Sequence, residues 1–381
     1  MTVSGHGSPD DEYARRRPQQ DTGGPQRQAR RLHAGLASPG QPQGSHAHAA
    51  GYYTEALARA CPWIDDVIID PGDQASRGDQ RVLRAELAGR RFDALLTLFS
   101  TPRIGWLGWR AGIPLRLAPA TKWAQLFYNR RITQRRSRSQ KPEYLYNVEL
   151  AEALLSELGT AVPERPAPPY WPMPEAQQAE QRRAIAESLG LEIAPGPGLE
   201  HETSAPWVFL HPGSGGSAVN LSAQAYAGLA RDIDARCRQA GVTPCWVLTA
   251  GPGEEAAADA LCQTMREDGL NAYRLPPSDG LVAFAHQLSA ADLFIAGSTG
   301  PLHIAACLDR PTAGFYPSRR SATPLRWQTC NQAAHRLAFC PPEDAHEADM
   351  TAIDLADAAA RIAQQLTAQR LIAEPNQEAR A

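Results

Sequence analysis

Short apolar runs alternate with stretches of helical spacing from residue 52 onward. Residues 67–69 (Val-Ile-Ile) form a continuous apolar run typical of a buried parallel strand. Similar runs recur after each stretch of helical spacing, at 94–98, within 104–117, and at 207–210, 246–249, 293–296 and 312–316. Alternating strands and helices at this spacing predict an α/β fold of doubly wound parallel sheets, one in each half of the chain.

Composition divides the chain further. Residues 1–50 hold seven Gly, five Pro and six Arg but no Ile, Phe or Trp, and such a segment is expected to be disordered because it cannot bury enough apolar surface. Six prolines between 161 and 174 predict an interdomain linker. We therefore divide the chain into a disordered or aberrant segment, a first domain, a linker with a connecting helix, a second domain and a terminal helix: 1–50, 51–160, 161–205, 206–350 and 351–370.

The overall composition excludes several protein classes. The 381 residues are 43% hydrophobic and 21% charged with a net charge of −3, so a sizeable core is expected and nucleic acid is not an expected partner. We expect no transmembrane segment, because no apolar run approaches 18 residues, and no signal peptide. The seven scattered cysteines favour reduced cytosolic thiols over a disulfide framework or a zinc site.

A glycine- and serine-rich loop follows the predicted strand 207–210. Backbone amides of Ser214, Gly215, Gly216 and Ser217 could approach an anion closely, and the next helix presents its positive end there. A plain tight turn is the alternative. The loop also fits the loose GxGxxA pattern of dinucleotide sites, but the following strand lacks the ribose-binding acid, which disfavours an NAD oxidoreductase.

Two further loops follow predicted strands. Glu254, after a Gly-Pro-Gly turn, could accept hydrogen bonds from both ribose hydroxyls, or could simply favour a helix N-terminus. In the loop 297–303, Thr299 and the Gly300 amide could hold a second phosphate, and His303 in the first helical turn could donate to a phosphate or sugar oxygen. A structural role for His303 is the alternative.

The three loops, in this order and spacing, resemble glycosyltransferase family 9, the bacterial lipopolysaccharide heptosyltransferases, over about residues 52–370. The resemblance implies two facing Rossmann-like domains (the GT-B arrangement), ADP-heptose as donor, inversion of the anomeric centre and no metal or other cofactor. It implies that the glycine-rich loop holds the diphosphate, that Glu254 holds the ribose, and that the later loop lines the diphosphate and heptose. The donor-binding residues are then Ser214, Gly215, Gly216, Ser217, Glu254, Ser298, Thr299, Gly300 and His303. The family often has Asp where this chain has Ser298, so a contact there is expected to be weaker or different.

The first half is then expected to bind the acceptor. Six of the twelve residues from 130 to 141 are basic and none is acidic. A solvated loop is the alternative, but in a heptosyltransferase this segment would meet the carboxylates and phosphates of a Kdo–lipid A acceptor at the anionic inner membrane. The resemblance thus implies a cytoplasmic enzyme with peripheral contact to that membrane. The predicted acceptor-binding residues are Arg130, Arg131, Arg135, Arg136, Arg138 and Lys141.

The expected catalytic base has no counterpart in the first fifty residues. Inverting transfer needs a base for the acceptor hydroxyl, and the family places it, an aspartate, in a first βα loop that residues 1–50 do not provide. We hypothesise that residues from about 17 to 50 are a frame-shifted reading of the family's usual start. When the sequence is back-translated with all degenerate codons and read one base later, it permits an amphipathic helix. The same reading permits an Arg-Asn-Lys-Ile segment followed by Gly-Asp-Leu. Stop codons in that frame of the gene would reject it. The sequence thus predicts a heptosyltransferase with weak or absent transfer and poor stability. The alternatives are a nucleotide-sugar-binding remnant and a family member that uses another sugar or a protein acceptor.

Overall fold

The computed structural model describes residues 54–121, 123–191, 205–216 and 219–373. Its strands form two parallel sheets, one of three strands and one of six. We call residues 54–157 the N-lobe and residues 205–373 the C-lobe. The predictions made for residues 1–50, including the hypothesis of a frame shift, lie outside the described residues.

The N-lobe sheet has the order β1-β2-β3, with Ala94 opposite Leu115 and Leu117 opposite Arg130. Side chains of alternate residues face opposite layers, because successive residues of a strand point to opposite faces. The elements of the N-lobe are α1 (Glu55–Ala60), α2 (Arg77–Arg90), β1 (Ala94–Leu96), α3 (Pro102–Arg110), β2 (Leu115–Pro119), a 3-10 helix (Trp123–Phe127), β3 (Arg130–Ile132), a 3-10 turn (Arg136–Arg138) and α4 (Glu143–Glu157).

Helix α3 packs closely on this sheet because of its sequence. Thr101 caps its N-terminus by accepting a hydrogen bond from the Ile104 amide, and a proline follows in the first turn. A Cβ atom added at Gly108 would lie 2.5 Å from Cδ2 of Leu95 on β1. Glycine at this position therefore lets the helix backbone approach the strand, while Ile104 and the rest of its inner face are buried.

The prediction of a strand at residues 67–69 is wrong for the described structure. These residues form neither helix nor strand, because a strand requires a hydrogen-bonding neighbour and no described residue pairs with this segment. Ile68 nevertheless packs against the cluster of buried residues under α2 and α3. The following Asp70 is buried and pairs with Arg103 of α3.

Residues 158–174, which include the six prolines, contain neither helix nor strand. Helix α5 (Glu175–Leu189) follows, and its Ile185 and Ala186 belong to a buried cluster of the C-lobe. The predicted domain boundaries themselves remain predictions. None of the described helices is long and apolar enough to cross a membrane.

The six-stranded sheet of the C-lobe has the order β6-β5-β4-β7-β8-β9. This order is that of a doubly wound sheet whose topological switch point lies between β4 and β7, so the sequence-based prediction of fold class is confirmed. The elements are β4 (Trp207–His211), α6 (Ala223–Gln239), β5 (Cys245–Leu248), α7 (Glu255–Glu267), β6 (Ala272–Arg274), α8 (Gly280–Leu288), β7 (Leu293–Gly297), α9 (Gly300–Cys307), β8 (Thr312–Phe315), a 3-10 helix (Ala333–His335), β9 (Arg336–Phe339), a 3-10 helix (Met350–Ala352) and α10 (Leu355–Ala373).

Both faces of this sheet are covered. One buried cluster joins the sheet to α6, α7 and α10, and a second joins it to α5, α8 and α9. Strand β4, at the centre, is buried along its whole length. Such complete burial explains why the central strands appear in the sequence as continuous apolar runs.

Candidate functional site

A cavity of about 650 Å³ opens at the switch point of the C-lobe sheet. It lies between the loop that follows β4 and the loop that follows β7, where ligands of doubly wound sheets bind. A third segment, residues 317–327 after β8, completes it. Its lining residues are Gly216, Val219, Ser298, Thr299, Gly300, His303, Pro317, Arg319, Ser321, Ala322 and Trp327.

Thr299 stands at the N-terminus of α9 with an unused hydroxyl. The residue is the N-cap, but its side chain makes no capping hydrogen bond. Its Oγ1 is buried and has no hydrogen-bond partner in the described part of the protein. An unpaired buried hydroxyl costs roughly 1–3 kcal/mol, and an acceptor bound in the cavity would recover that cost by accepting a hydrogen bond from it. Gly300, the first residue of the helix, leaves its amide at the positive end of α9.

His303 and Ser298 also line the cavity, as the sequence predicted. Burial lowers the pKa of His303, so its imidazole is neutral at physiological pH and can both donate and accept a hydrogen bond. The ring lies edge-on to Trp327 at 6.3 Å. The Ser298 amide donates to the carbonyl of Phe315, which fixes the loop to β8.

Arg319 is the residue that the sequence reasoning missed. It is the only cationic side chain among the described lining residues, and its ion pair with Glu347 is loose, at 3.6 Å and half exposed. No motif signals it, because residues 317–327 form neither strand nor α-helix and reach the cavity only through the tertiary fold. Trp327, whose ring Arg326 approaches to 5.9 Å, comes from the same segment.

Glu254 lies beside the glycine-rich loop and binds its backbone. Its Oε1 accepts hydrogen bonds from the amides of Ser214 (2.8 Å) and Gly215 (2.6 Å), and its Oε2 accepts one from Gly251 (3.0 Å). A Cβ atom at Gly213 would lie 1.9 Å from Oε2, so only glycine fits there. Burial raises the pKa of Glu254, but the amides of Gly215 and Gly251 outweigh burial and bring the pKa below its ordinary value.

The four residues predicted to hold the diphosphate therefore have different surroundings in the structure. The Ser214 and Gly215 amides meet Glu254, Gly216 lines the cavity, and Ser217 lies outside the described residues. Behind Glu254, the buried His211 lies 3.7 Å from Oε2 and bonds to Thr249 Oγ1 at 2.9 Å. Burial lowers the pKa of His211 to about 4.

The predicted basic segment is half neutralised. Arg130 pairs with Glu157, Arg136 with Glu143, and Lys141 with Glu149. These three pairs arise because the next helix, α4, places acids opposite the segment, and acceptor binding by the six basic residues stays a prediction. Arg131, Arg135 and Arg138 are exposed and form no ion pair within the described residues.

The basic segment also contacts the rim of the donor cavity. Glu143 lies 3.2 Å from Nη2 of Arg326, and Arg326 Nη1 donates to the Arg136 carbonyl, also at 3.2 Å. The Ser139 hydroxyl donates to the Arg320 carbonyl at 2.6 Å. The two lobes are thus joined at the segment that carries Arg319 and Trp327. No group of three or more His, Cys, Asp or Glu side chains in the described part of the chain is placed to hold a metal ion.

Comparison with known proteins identifies the family. The family model described as glycosyltransferase family 9 (heptosyltransferase) matches residues 80–351. A Haemophilus influenzae protein described as a glycosyltransferase is 43% identical over 292 residues, which cover 76% of this chain and 78% of that protein. Among solved structures, the Escherichia coli ADP-heptose LPS heptosyltransferase II superposes with a TM-score of 0.59 at 17% identity, over 84% of this chain and 88% of that one.

A second E. coli structure, heptosyltransferase WaaC with ADP, gives a TM-score of 0.54 at 15% identity over 83% and 88% of the two chains. At such low sequence identity, the two superpositions establish the fold alone. They confirm the prediction of a GT-B arrangement. Family model, relative and fold agree with one another. The chain belongs to glycosyltransferase family 9 and is a glycosyltransferase.

Proposed function

We propose that the chain transfers heptose from ADP-heptose, with inversion, to an anionic glycolipid of the lipopolysaccharide inner core, of the Kdo–lipid A type. Membership of family 9 supports heptosyl transfer, and the name of a structural neighbour supports ADP as the nucleotide. The observation that carries the proposal is the buried, unpartnered hydroxyl of Thr299 at the N-terminus of α9, on the wall of a 650 Å³ cavity. A diphosphate oxygen is an acceptor of the right chemistry for it.

The donor diphosphate would lie across the start of α9. The Thr299 hydroxyl and the Gly300 amide would donate to its oxygens, and the positive end of the helix contributes up to about 2 kcal/mol in a partly buried setting. Arg319 would supply the remaining positive charge from the opposite wall. With these groups the diphosphate charge is offset without a metal, as the family resemblance implies, and transfer is expected to be insensitive to EDTA.

The rest of the donor would be oriented by neutral and acidic groups. His303, uncharged through burial, would donate to a sugar or phosphate oxygen. Among the described residues, Oε2 of Glu254 accepts a hydrogen bond from the Gly251 amide alone, while Oε1 accepts from the loop amides. A second lone pair of Oε2 would accept from a ribose hydroxyl. Ser298 offers a hydroxyl where the family often has a carboxylate, so its contact to the sugar would be weaker.

On the acceptor side, Arg131, Arg135 and Arg138 are the exposed cations available to glycolipid carboxylates and phosphates. Arg130, Arg136 and Lys141 form ion pairs with α4, so they would mainly stabilise the local fold and contact the acceptor less. We propose a cytoplasmic enzyme that meets its acceptor at the inner membrane surface. Residues 1–50 provide no counterpart of the aspartate that the family uses as base, so we propose no residue of this chain for that role.

Thr299→Val tests the donor site. Replacing the hydroxyl by a methyl group should weaken ADP binding about tenfold or more, the loss expected for a hydrogen bond to a charged group, and should not lower the melting temperature, because the hydroxyl has no protein partner to lose. Calorimetric titration with ADP, ADP-heptose, UDP-sugars and NAD gives the affinities.

Thr312→Val is the matched control. Its hydroxyl is buried too, but Asn331 donates to it at 3.1 Å, so this change should lower stability by about 1 kcal/mol and leave ADP affinity unchanged. Unchanged ADP binding in Thr299→Val would remove the basis of the proposal. The nucleotide-binding remnant, which the composition of residues 1–50 favours, predicts ADP-heptose binding with no product in mass spectra of a Kdo–lipid A reaction.

A further inference from the structure

Charge is strongly segregated along the N-lobe. Between Asp93 and Glu143 the sequence contains no acidic residue and ten basic ones, while the whole chain carries −3. The remainder of the chain therefore carries −13. Four of the ten cations form ion pairs with acids outside the stretch, so its excess of positive charge comes from the other basic residues. The basic residues are Arg103, Arg110, Arg116, Lys122, Arg130, Arg131, Arg135, Arg136, Arg138 and Lys141.

The same stretch exposes large apolar side chains. Trp106 and Trp109 are 37% and 52% exposed on the outer face of α3, and Trp123 and Leu126 are 80% and 69% exposed on the 3-10 helix that follows β2. Each pair is three residues apart and so projects from one side of its helix. Trp109 lies 6.4 Å from Phe127, which joins the two pairs. We call Trp106, Trp109, Trp123 and Leu126 the aromatic surface.

Two free cations flank the aromatic surface. Arg110 lies over the Trp109 ring at 6.0 Å. Arg131 points to the same layer, because its neighbour Arg130 on β3 pairs with Glu157 of α4 on the opposite face and side chains alternate along a strand. Both arginines are exposed and form no ion pair within the described residues.

Few large apolar side chains lie outside the described residues: Met1, Val3, Tyr13, Leu32, Leu36, Tyr52, Tyr53, Ile193 and Leu199. The edges of the described N-lobe sheet are β1 and β3, and the 3-10 helix lies on the connection from β2 to β3. An exposed apolar patch of this kind marks an interaction site, and its partner must combine an apolar layer with negative charge.

We propose that the aromatic surface, with Arg110 and Arg131, binds the headgroup layer of an anionic membrane. Tryptophan side chains favour the boundary between headgroups and acyl chains, where an apolar ring and a polar N–H are both satisfied. Each arginine near an anionic leaflet strengthens binding roughly fivefold, and apolar and cationic contacts together are the usual combination for peripheral binding. The surface binds lipid whichever nucleotide sugar occupies the C-lobe.

Vesicle sedimentation of the full chain tests the proposal. We expect the protein to bind phosphatidylcholine vesicles that contain phosphatidylglycerol, and to bind pure phosphatidylcholine vesicles at least about tenfold more weakly. The double variants Trp123→Ser with Leu126→Ser, and Arg110→Glu with Arg131→Glu, should each weaken binding to the anionic vesicles at least about tenfold. ADP affinity, measured on the same samples, should be unchanged in both, which separates this proposal from that for the donor site.

Two matched controls use exposed residues elsewhere. Val82→Ser removes an exposed apolar side chain of α2, and Arg236→Glu reverses an exposed charge on α6, and both should keep full vesicle binding. Equal binding by all variants, or no binding to either vesicle, overturns the proposal. Two other outcomes would also overturn the proposal. The parent chain could fail to bind vesicles but bind a single-stranded oligonucleotide, or form a dimer in sedimentation velocity. Loss of that binding or dimer in the Trp123→Ser, Leu126→Ser variant would assign the surface to that partner instead.

Discussion

Both lobes contain a parallel sheet, but they differ in how many of their apolar side chains are buried. Among the described residues, the C-lobe sheet is enclosed by two clusters of 29 and 16 buried side chains, whereas the N-lobe sheet has clusters of four and three. The large apolar side chains that the C-lobe leaves exposed (Val219, Leu325 and Trp327) lie at or near its cavity. The N-lobe exposes more of them: Trp106 and Trp109 on α3, Trp123 and Leu126 on the 3-10 helix, and Trp63, Val82, Leu98 and Phe99 elsewhere.

This difference separates two tasks. A donor site needs fixed amides, hydroxyls and a helix end, and a densely packed sheet holds them in place. A surface that meets a lipid layer needs accessible rings and cations, and rigidity matters less. The lobes are therefore expected to differ in stability, in pH response and in their dependence on each other.

The largest expected effect separates the lobes by core mutation. Phe209→Ala, at the fully buried centre of β4, should cost about 3–5 kcal/mol. It should abolish hydrogen-exchange protection across the C-lobe together with ADP binding. Leu107→Ala, equally buried on α3, should cost about 2–5 kcal/mol and reduce protection in the N-lobe alone, with ADP affinity lowered a few-fold at most. Complete loss of ADP binding in Leu107→Ala would contradict the placement of the donor site in the C-lobe.

A second effect distinguishes the lobes by pH. Burial lowers the pKa of His211 to about 4 from its ordinary 6.5, so the unfolded state takes up the proton first as pH falls. The C-lobe should lose up to about 3 kcal/mol between pH 6.5 and 4, and the loss should level off below that. The sequence from 54 to 157 contains no histidine, so the N-lobe should lack this response.

His211→Asn removes most of this slope while keeping a polar atom near Thr249, and the buried His303 supplies the remainder. The exposed His346→Asn serves as the control and should leave the slope unchanged. Denaturant unfolding of the C-lobe at several pH values measures it. An identical pH slope in His211→Asn and the parent chain would rule out His211 as its source.

The sequence predicted the elements that are buried on both faces. The central strands of the C-lobe appear as continuous apolar runs, and the structure places them within a residue or two of the predicted ranges. The sequence analysis missed β3, β6 and β9, because Arg130–Ile132 and Ala272–Arg274 are three-residue strands with arginine in them and Arg336–Phe339 begins with one. Conversely, residues 67–69 have a strand-like sequence but lack a described partner, and pattern alone does not supply one.

Site residues follow the same rule. Ser298, Thr299, Gly300 and His303 were predictable because they follow a strand and open a helix, and they do line the cavity. Arg319 was not, since a loop between β8 and β9 carries no periodic signal. The engagement of Glu254 by loop amides also depends on two turns meeting in space. Contacts between residues of different loops depend on the tertiary fold, and local sequence patterns do not predict them.

The smallest expected effect concerns the connection between the lobes. The Glu143 carboxylate lies between Arg136 at 2.6 Å and Arg326 at 3.2 Å, with all three side chains more than four-fifths buried. Glu143→Gln should cost about 1–3 kcal/mol, between the values for exposed and fully buried pairs. Arg326 precedes Trp327, which lines the cavity. Glu143→Gln should therefore also weaken ADP binding a few-fold.

Glu149→Gln is the matched control, since its carboxylate pairs with Lys141 and accepts from Gln134 Nε2, and both partners lie inside the N-lobe. It should cost less than about 1 kcal/mol and leave ADP affinity unchanged, because Lys141 and Glu149 are about one-third exposed and their pair is screened by solvent. Hydrogen exchange of residues 317–327 should rise in Glu143→Gln and stay at the parent level in Glu149→Gln. Equal exchange in both variants would mean that the N-lobe does not hold this wall of the cavity, and that the donor site is complete within the C-lobe.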